Sequence, residues 1–194
     1  MSVVVALGTG LAAWWLHAAR WRPLAVVFAV ATLALALGAG LNLALYPWTD
    51  LGVVIVALKG GMLVGRVLAA RAGPMLILLG LLAVLDTIQL LIPGPGPSPV
   101  GAARPAPFFY GMLVIGTPLP RFEVGVFDLL LIAAIVEHGR RRRLPLAAVV
   151  APGVIGFVLA DTAILLLGPT NLPLVPFLLA GWLLSQAGWH LLRR

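Results

Sequence analysis

Four ionisable side chains stand inside long apolar runs of this sequence: Lys59, Asp86, Asp128 and Asp161. An Asp or Lys in the middle of a bilayer costs roughly 2.5–3.5 kcal/mol on insertion scales, so each is a functional candidate if its run crosses a membrane. Arg66 lies nearer the end of its run, where a long side chain snorkels to the surface. Asp86 lies 7 residues before Pro93, and Asp128 lies 5 residues after Glu123. With a rise of about 1.5 Å per helical residue, these offsets set the two carboxyl groups about 10 and about 8 Å below the same surface. On consecutive antiparallel helices they can face each other across a few ångströms. Two close carboxyl groups do not both ionise, so one keeps a proton and the other accepts one. The charged member activates water while the protonated member polarises a peptide carbonyl. The competing role is structural, a shared proton that ties two helices together. Asp161 lies 7 residues before Gly168, and its surroundings, ADTAILLLGP, echo LDTIQLLIPGP around Asp86. Lys59 is the expected ion-pair partner of Asp161, with proton movement as the alternative role for that pair.

The elements that must position these groups follow from composition. Of 194 residues, 62% are apolar and 10% charged, with a mean hydropathy of +1.11. A soluble domain is roughly 45–50% apolar and about 25% charged, so an exterior wetted on all sides is excluded. A transmembrane helix takes about 20 residues. The apolar runs predict seven helices, over 2–19, 23–45, 50–70, 74–93, 122–138, 144–168 and 171–192. The expected fold class is all-α, a polytopic membrane protein forming one membrane-embedded domain over 1–194. Within it, 1–71 is an N-terminal three-helix part and 74–194 a catalytic four-helix part. Pro23, Pro74, Pro145 and Pro173 are expected in first helical turns, where a missing N–H costs least. The first run is read as a retained helix and not a signal peptide, because Arg20 and Arg22 follow it and no positive charge precedes it.

The net charge of +7 is carried between apolar runs, which speaks against a nucleic-acid partner. Arg20 and Arg22, Arg71, Arg140 to Arg143, and Arg193 and Arg194 fall on one side; Arg104 and Arg121 fall on the other. The positive-inside rule therefore predicts a multi-pass protein of the cell's inner or plasma membrane, N-terminus outside and C-terminus cytoplasmic. The connection 94–121 is exceptional. Its first half is rich in Pro and Gly, and its second half reads FFYGMLVIG, then TPLP, then RFEVG. That pattern predicts a short β-hairpin between spans four and five, or an apolar segment resting on lipid headgroups.

Three motifs in order carry a resemblance. They are LD at 85–86, GVFD at 125–128, and LPLVP at 172–176 opening the final span. In this the chain resembles the presenilin and signal peptide peptidase family of intramembrane aspartyl proteases. That family carries one aspartate on a helix, a GxGD motif on the next, and a Pro-Ala-Leu motif opening the last. Phe127 stands where the family has Gly, Leu85 where it often has Tyr, and LPLVP approximates the Pro-Ala-Leu pattern. The likeness covers about residues 75–180. It implies that Asp86 and Asp128 are the catalytic dyad, and that Gly125 admits close backbone approach. Leu172, Pro173, Leu174, Val175 and Pro176 would then meet substrate, since prolines leave backbone groups outside the helical ladder. The stretch 108–125 would pair with substrate as an added strand. The implied substrates are transmembrane helices or signal-peptide remnants, cut with no cofactor.

Other chemistries fare worse. No cysteine is present, and His17, His138 and His190 lie near one side without an HExxH motif, so no metal site is expected. Serine occurs only at Ser2, Ser98 and Ser185, none in a GxSxG setting. The alternative function is a proton-coupled transporter or channel in which Asp86, Asp128, Asp161 and Lys59 relay charge. A third is a scaffold in which polar residues only bind helices together.

Overall fold

The computed structural model describes residues 2–18, 30, 48–91, 112–115, 122–167 and 173–192. Six helices appear among them: α1 (Ser2–Ala18), α2 (Trp48–Val67), α3 (Ala72–Leu91), α4 (Val126–Arg141), α5 (Leu146–Leu167) and α6 (Val175–Leu192). A 3-10 turn, Leu68–Ala70, closes α2. The predicted helix over 23–45 lies outside the described residues, apart from Val30. Within α5, the stretch Leu146–Leu166 is long and apolar enough to cross a membrane, and Ala72–Ile88 in α3 is a shorter apolar stretch.

Residues 112–115 and 122–125 form strands β1 and β2, paired antiparallel with Met112 opposite Gly125 and Ile115 opposite Phe122. The chain passes from β2 directly into α4. The fifth helix thus begins at 126 rather than 122. It also ends at 141 rather than 138, so Arg140 and Arg141 belong to the helix and not to the following loop.

Helix α4 is the axis of the fold. Residues 131 to 139 are buried without interruption, as expected of a helix enclosed on every side. It packs chiefly on α2, and α1 and α5 also lie against it. The α2 contact is close because its small residues allow it. A Cβ on Gly61 would strike the Leu130 carbonyl oxygen, and one on Gly65 would strike the Ala134 carbonyl oxygen. Ala133 and Ala134 present equally little bulk from the other side, and both are fully buried. Small residues four apart are the usual means of bringing helix backbones together without a polar driving force.

Helices α5 and α6 meet in the same way, with Gly181 against the Pro152 carbonyl and Gly156 against Leu178 and the Phe177 carbonyl. Pro152 sits inside α5 and has no N–H to give the Ala148 carbonyl. The Ser185 hydroxyl on α6 donates to that same carbonyl at 3.1 Å. The gap left by proline is closed from the neighbouring helix, which is how such breaks are tolerated where water is absent.

Between α4 and α5 the chain turns on Arg143, whose φ is +59°. Leu144 N–H donates to the Gly139 carbonyl at 3.1 Å and Arg143 N–H to the Arg140 carbonyl at 2.9 Å. This is a Schellman termination, with an arginine in the left-handed position that glycine usually fills. The Pro145 carbonyl then accepts from Val149 N–H, so Pro145 stands just ahead of α5 rather than inside its first turn. Pro173 likewise precedes α6, whereas Pro74 does lie in the first turn of α3.

Large apolar side chains also lie exposed on two of the helices. Leu76, Ile77, Leu81, Val84, Leu85 and Ile88 are exposed along α3, and Leu165 and Leu166 at the end of α5.

Candidate functional site

Asp86 stands five residues before the end of α3 and is half-buried. Its Oδ2 accepts a hydrogen bond from the Val175 backbone N–H at 3.1 Å, across 89 residues of sequence. Val175 is the first residue of α6 and is buried. The first N–H groups of a helix have no partner within it. Here Leu174 offers its carbonyl to Phe177 and Leu178, both at 3.0 Å, but its side chain has no oxygen to cap the helix. Pro176 brings no N–H that needs satisfying, so the Val175 N–H is the donor left without a partner inside the helix, and Asp86 accepts from it. The positive end of the α6 dipole favours a carboxylate there. Asp86 therefore caps α6 from another helix, and the contact joins two of the three sequence motifs.

Asp128 lies in the first turn of α4, half-buried, three residues after Gly125 ends β2. Phe127 is 76% exposed, turned away from the packed interior. The bulky side chain of Phe127 thus does not fill the space between helices. The described residues place α3 chiefly against α6, and α4 chiefly against α2. Of the proposed substrate-contacting residues, Leu174 and Pro176 are half-buried beside Val175, as is Pro173, while Leu172 lies outside the described residues.

The two Asp-Thr steps share one local structure. Thr87 Oγ1 bonds back to the Ala83 carbonyl and Thr162 Oγ1 to the Val158 carbonyl, each at 2.7 Å. Each hydroxyl is satisfied on its own helix, a common outcome for threonine in an apolar helix. Asp161 itself is half-buried on α5. Lys59 is half-buried on α2, in the field of Arg66 on its own helix and of Glu137 on α4.

Glu137 was not among the charges that sequence reasoning weighed. It is 1% exposed, near the C-terminal end of the central helix. Arg140 Nε donates to its Oε2 at 3.0 Å and Arg140 Nη2 to its Oε1 at 3.2 Å. Arg141 Nε donates to Oε1 at 2.9 Å, and Arg66 Nε stands 3.7 Å from the same oxygen. His138, equally buried, abuts the Leu68 carbonyl of the 3-10 turn. The signal was present in the sequence as Glu followed by Arg at i+3 and i+4, a spacing that puts all three on one helical face. A helix ending at 138, as the apolar run alone predicts, hides it by leaving both arginines in the loop.

Among the described residues no group of three His, Cys, Asp or Glu could hold a metal ion. Comparison with protein-family models, with curated proteins and with solved structures finds no match to this chain.

Proposed function

We propose that this protein is a multi-pass membrane aspartyl protease. It cuts peptide bonds within single transmembrane helices or signal-peptide remnants, with Asp86 and Asp128 as its dyad. The observation that carries this reading is the hydrogen bond from Val175 N–H to Asp86 Oδ2. It ties a carboxylate to a segment that holds Pro173 and Pro176, neither of which supplies an N–H. The ribbon adds a second support. Its strand β2 ends three residues before Asp128, so a peptide added to the β1–β2 ribbon would be led toward that carboxyl group. Asp128 would then activate water or polarise the scissile carbonyl, with Asp86 taking the complementary part.

The membrane reading rests on the apolar exterior of α3 and α5 together with the buried small-residue crossings. Exposed apolar surface of this kind marks contact with a membrane or a partner, and the high apolar content of the chain favours the membrane. To this reading the sequence adds seven spans, with the N-terminus outside and the C-terminus cytoplasmic; among the described residues, Leu146–Leu166 is the stretch long and apolar enough to cross.

The test is cleavage of a reporter transmembrane helix by the purified full chain, with and without a transition-state analogue of aspartyl proteases. Asp128→Asn should remain folded and lose cleavage, and the analogue should block the parent protein. Full cleavage by Asp128→Asn ends the protease reading. A proton-coupled transporter is the second reading, supported by two ionisable residues of the closely packed α2–α4 pair, half-buried Lys59 and buried Glu137. Proton flux into liposomes that Lys59→Met abolishes would establish it instead.

A further inference from the structure

The charges of the described helices are sorted by end. Arg66, Arg71 and Arg140 to Arg143 gather where α2 and α4 finish and α3 begins, and the one acid among them is Glu137. Six arginines and one glutamate leave +5 there, out of +7 for the whole chain. The remaining acids on these helices are distant along them. Asp128 is 9 residues before Glu137, Asp86 is 14 residues after Ala72, Asp161 is 15 after Leu146, and Asp50 is 16 before Arg66. At helical rise those separations run from about 13 to about 24 Å, beyond a Debye length of about 8 Å at physiological salt.

Glu137 does more than balance one charge. Arg140 and Arg141 are successive residues, which a helix would point about 100° apart. Both direct Nε to the one buried carboxylate, and Arg66 approaches it from α2. The three guanidinium groups are thereby held as a set. Their side chains are 37%, 20% and 41% exposed for Arg66, Arg140 and Arg141, so the set is anchored inside and reaches the surface. A planar guanidinium with its Nε engaged still presents donors at its far edge, in a fork that suits phosphate oxygens.

We propose that Arg66, Arg140 and Arg141, positioned by Glu137, form a binding site for the phosphodiester of an anionic phospholipid headgroup. This site rests on the membrane reading above and is independent of the protease reading. On that reading these residues lie at the cytoplasmic surface, where anionic lipids attract basic clusters. The excess charge supplies attraction, and the buried glutamate supplies the fixed geometry that a mobile arginine loop would lack.

The experiment uses the full chain in neutral detergent and follows thermal unfolding with three additives: short-chain phosphatidylglycerol, short-chain phosphatidylcholine and inorganic phosphate. At ten times its dissociation constant, phosphatidylglycerol should raise Tm by about 3–6 °C. Phosphatidylcholine and inorganic phosphate should each do less than a third of that. Arg140→Gln with Arg141→Gln should remove the shift, while Arg142→Gln, at an exposed position outside the Glu137 network, should keep most of it. If the double Gln variant does not fold, Arg140→Lys with Arg141→Lys keeps the charge and loses the fork, and its shift should fall by at least half. An equal rise with phosphatidylcholine, or a full shift in the Lys variant, overturns the site. An equal rise with inorganic phosphate overturns the lipid as its ligand. Flotation with phosphatidylcholine vesicles tests the membrane reading separately, since a protein that fails to float but keeps the phosphatidylglycerol shift has a site and no membrane span.

Discussion

Replacing Gly65 by alanine sets two known effects against each other at one atom. Alanine gains about 1 kcal/mol over glycine in a helix interior. Against this, the new methyl would strike the Ala134 carbonyl oxygen and lie 3.0 Å from that residue's carbonyl carbon and Cα. All three are backbone atoms of the most buried helix, so no side chain can swing aside. Relief requires α2 and α4 to separate, which opens the packing around Ala133 and Ala134 as well. Overpacking of this kind costs typically 1–3 kcal/mol, and a rigid backbone obstacle puts Gly65 at the upper end of that range. The net expectation is a loss of about 2 kcal/mol, or about 4–8 °C in Tm for a chain of this length. Gly80 on α3 is the internal control, because a Cβ there meets nothing within 4 Å. Gly80→Ala should therefore raise Tm by about 2–4 °C from helix propensity alone. Gly61→Ala should behave like Gly65→Ala, and the double variant should lose less than the sum, since one separation relieves both clashes. Thermal unfolding of all four variants in one detergent decides the matter. A Gly65→Ala protein stabilised as much as Gly80→Ala would refute the close crossing.

Three further outcomes are expected. Asp86→Asn keeps an oxygen for the Val175 N–H and should unfold near the parent temperature while losing cleavage, whereas Asp86→Ala loses the cap too and should cost about 1 kcal/mol. Equal destabilisation by Asn and Ala would remove the capping role. Ser185→Ala strands the Ala148 carbonyl and should cost about 0.5–1.5 kcal/mol. That cost should vanish in a Pro152→Ala background, where residue 152 regains the N–H that serves the same carbonyl, and a double-mutant cycle by thermal unfolding would reveal it. Arg143→Gly should stabilise by about 1 kcal/mol, because glycine occupies the left-handed position without the penalty a side chain carries there. A lowered Tm would contradict the Schellman turn.

Read alone, the sequence places the six described helices in their order, because a long apolar run bounded by prolines and arginines can satisfy its backbone within itself as a helix. The short hairpin was legible as one of two readings of 108–125, and the pairing of Met112–Ile115 with Phe122–Gly125 decides between them. The matching Asp-Thr steps were legible too, and each proved to be one residue's hydroxyl returning to its own helix. Which helices meet was not legible. A helix such as α5, apolar on every side, carries no stripe to say which face is inward, and the deciding features are single glycines at 61, 65, 156 and 181. Only the folded structure brought the Asp86 carboxylate to the start of α6, gave Ser185 to the carbonyl that Pro152 had orphaned, and enclosed Glu137 among three arginines. Each of these matches a donor with an acceptor on another turn or another helix. Local spacing constrains the backbone within one element, and the partner of an orphaned polar group is chosen by whichever backbones can approach closely enough to supply it.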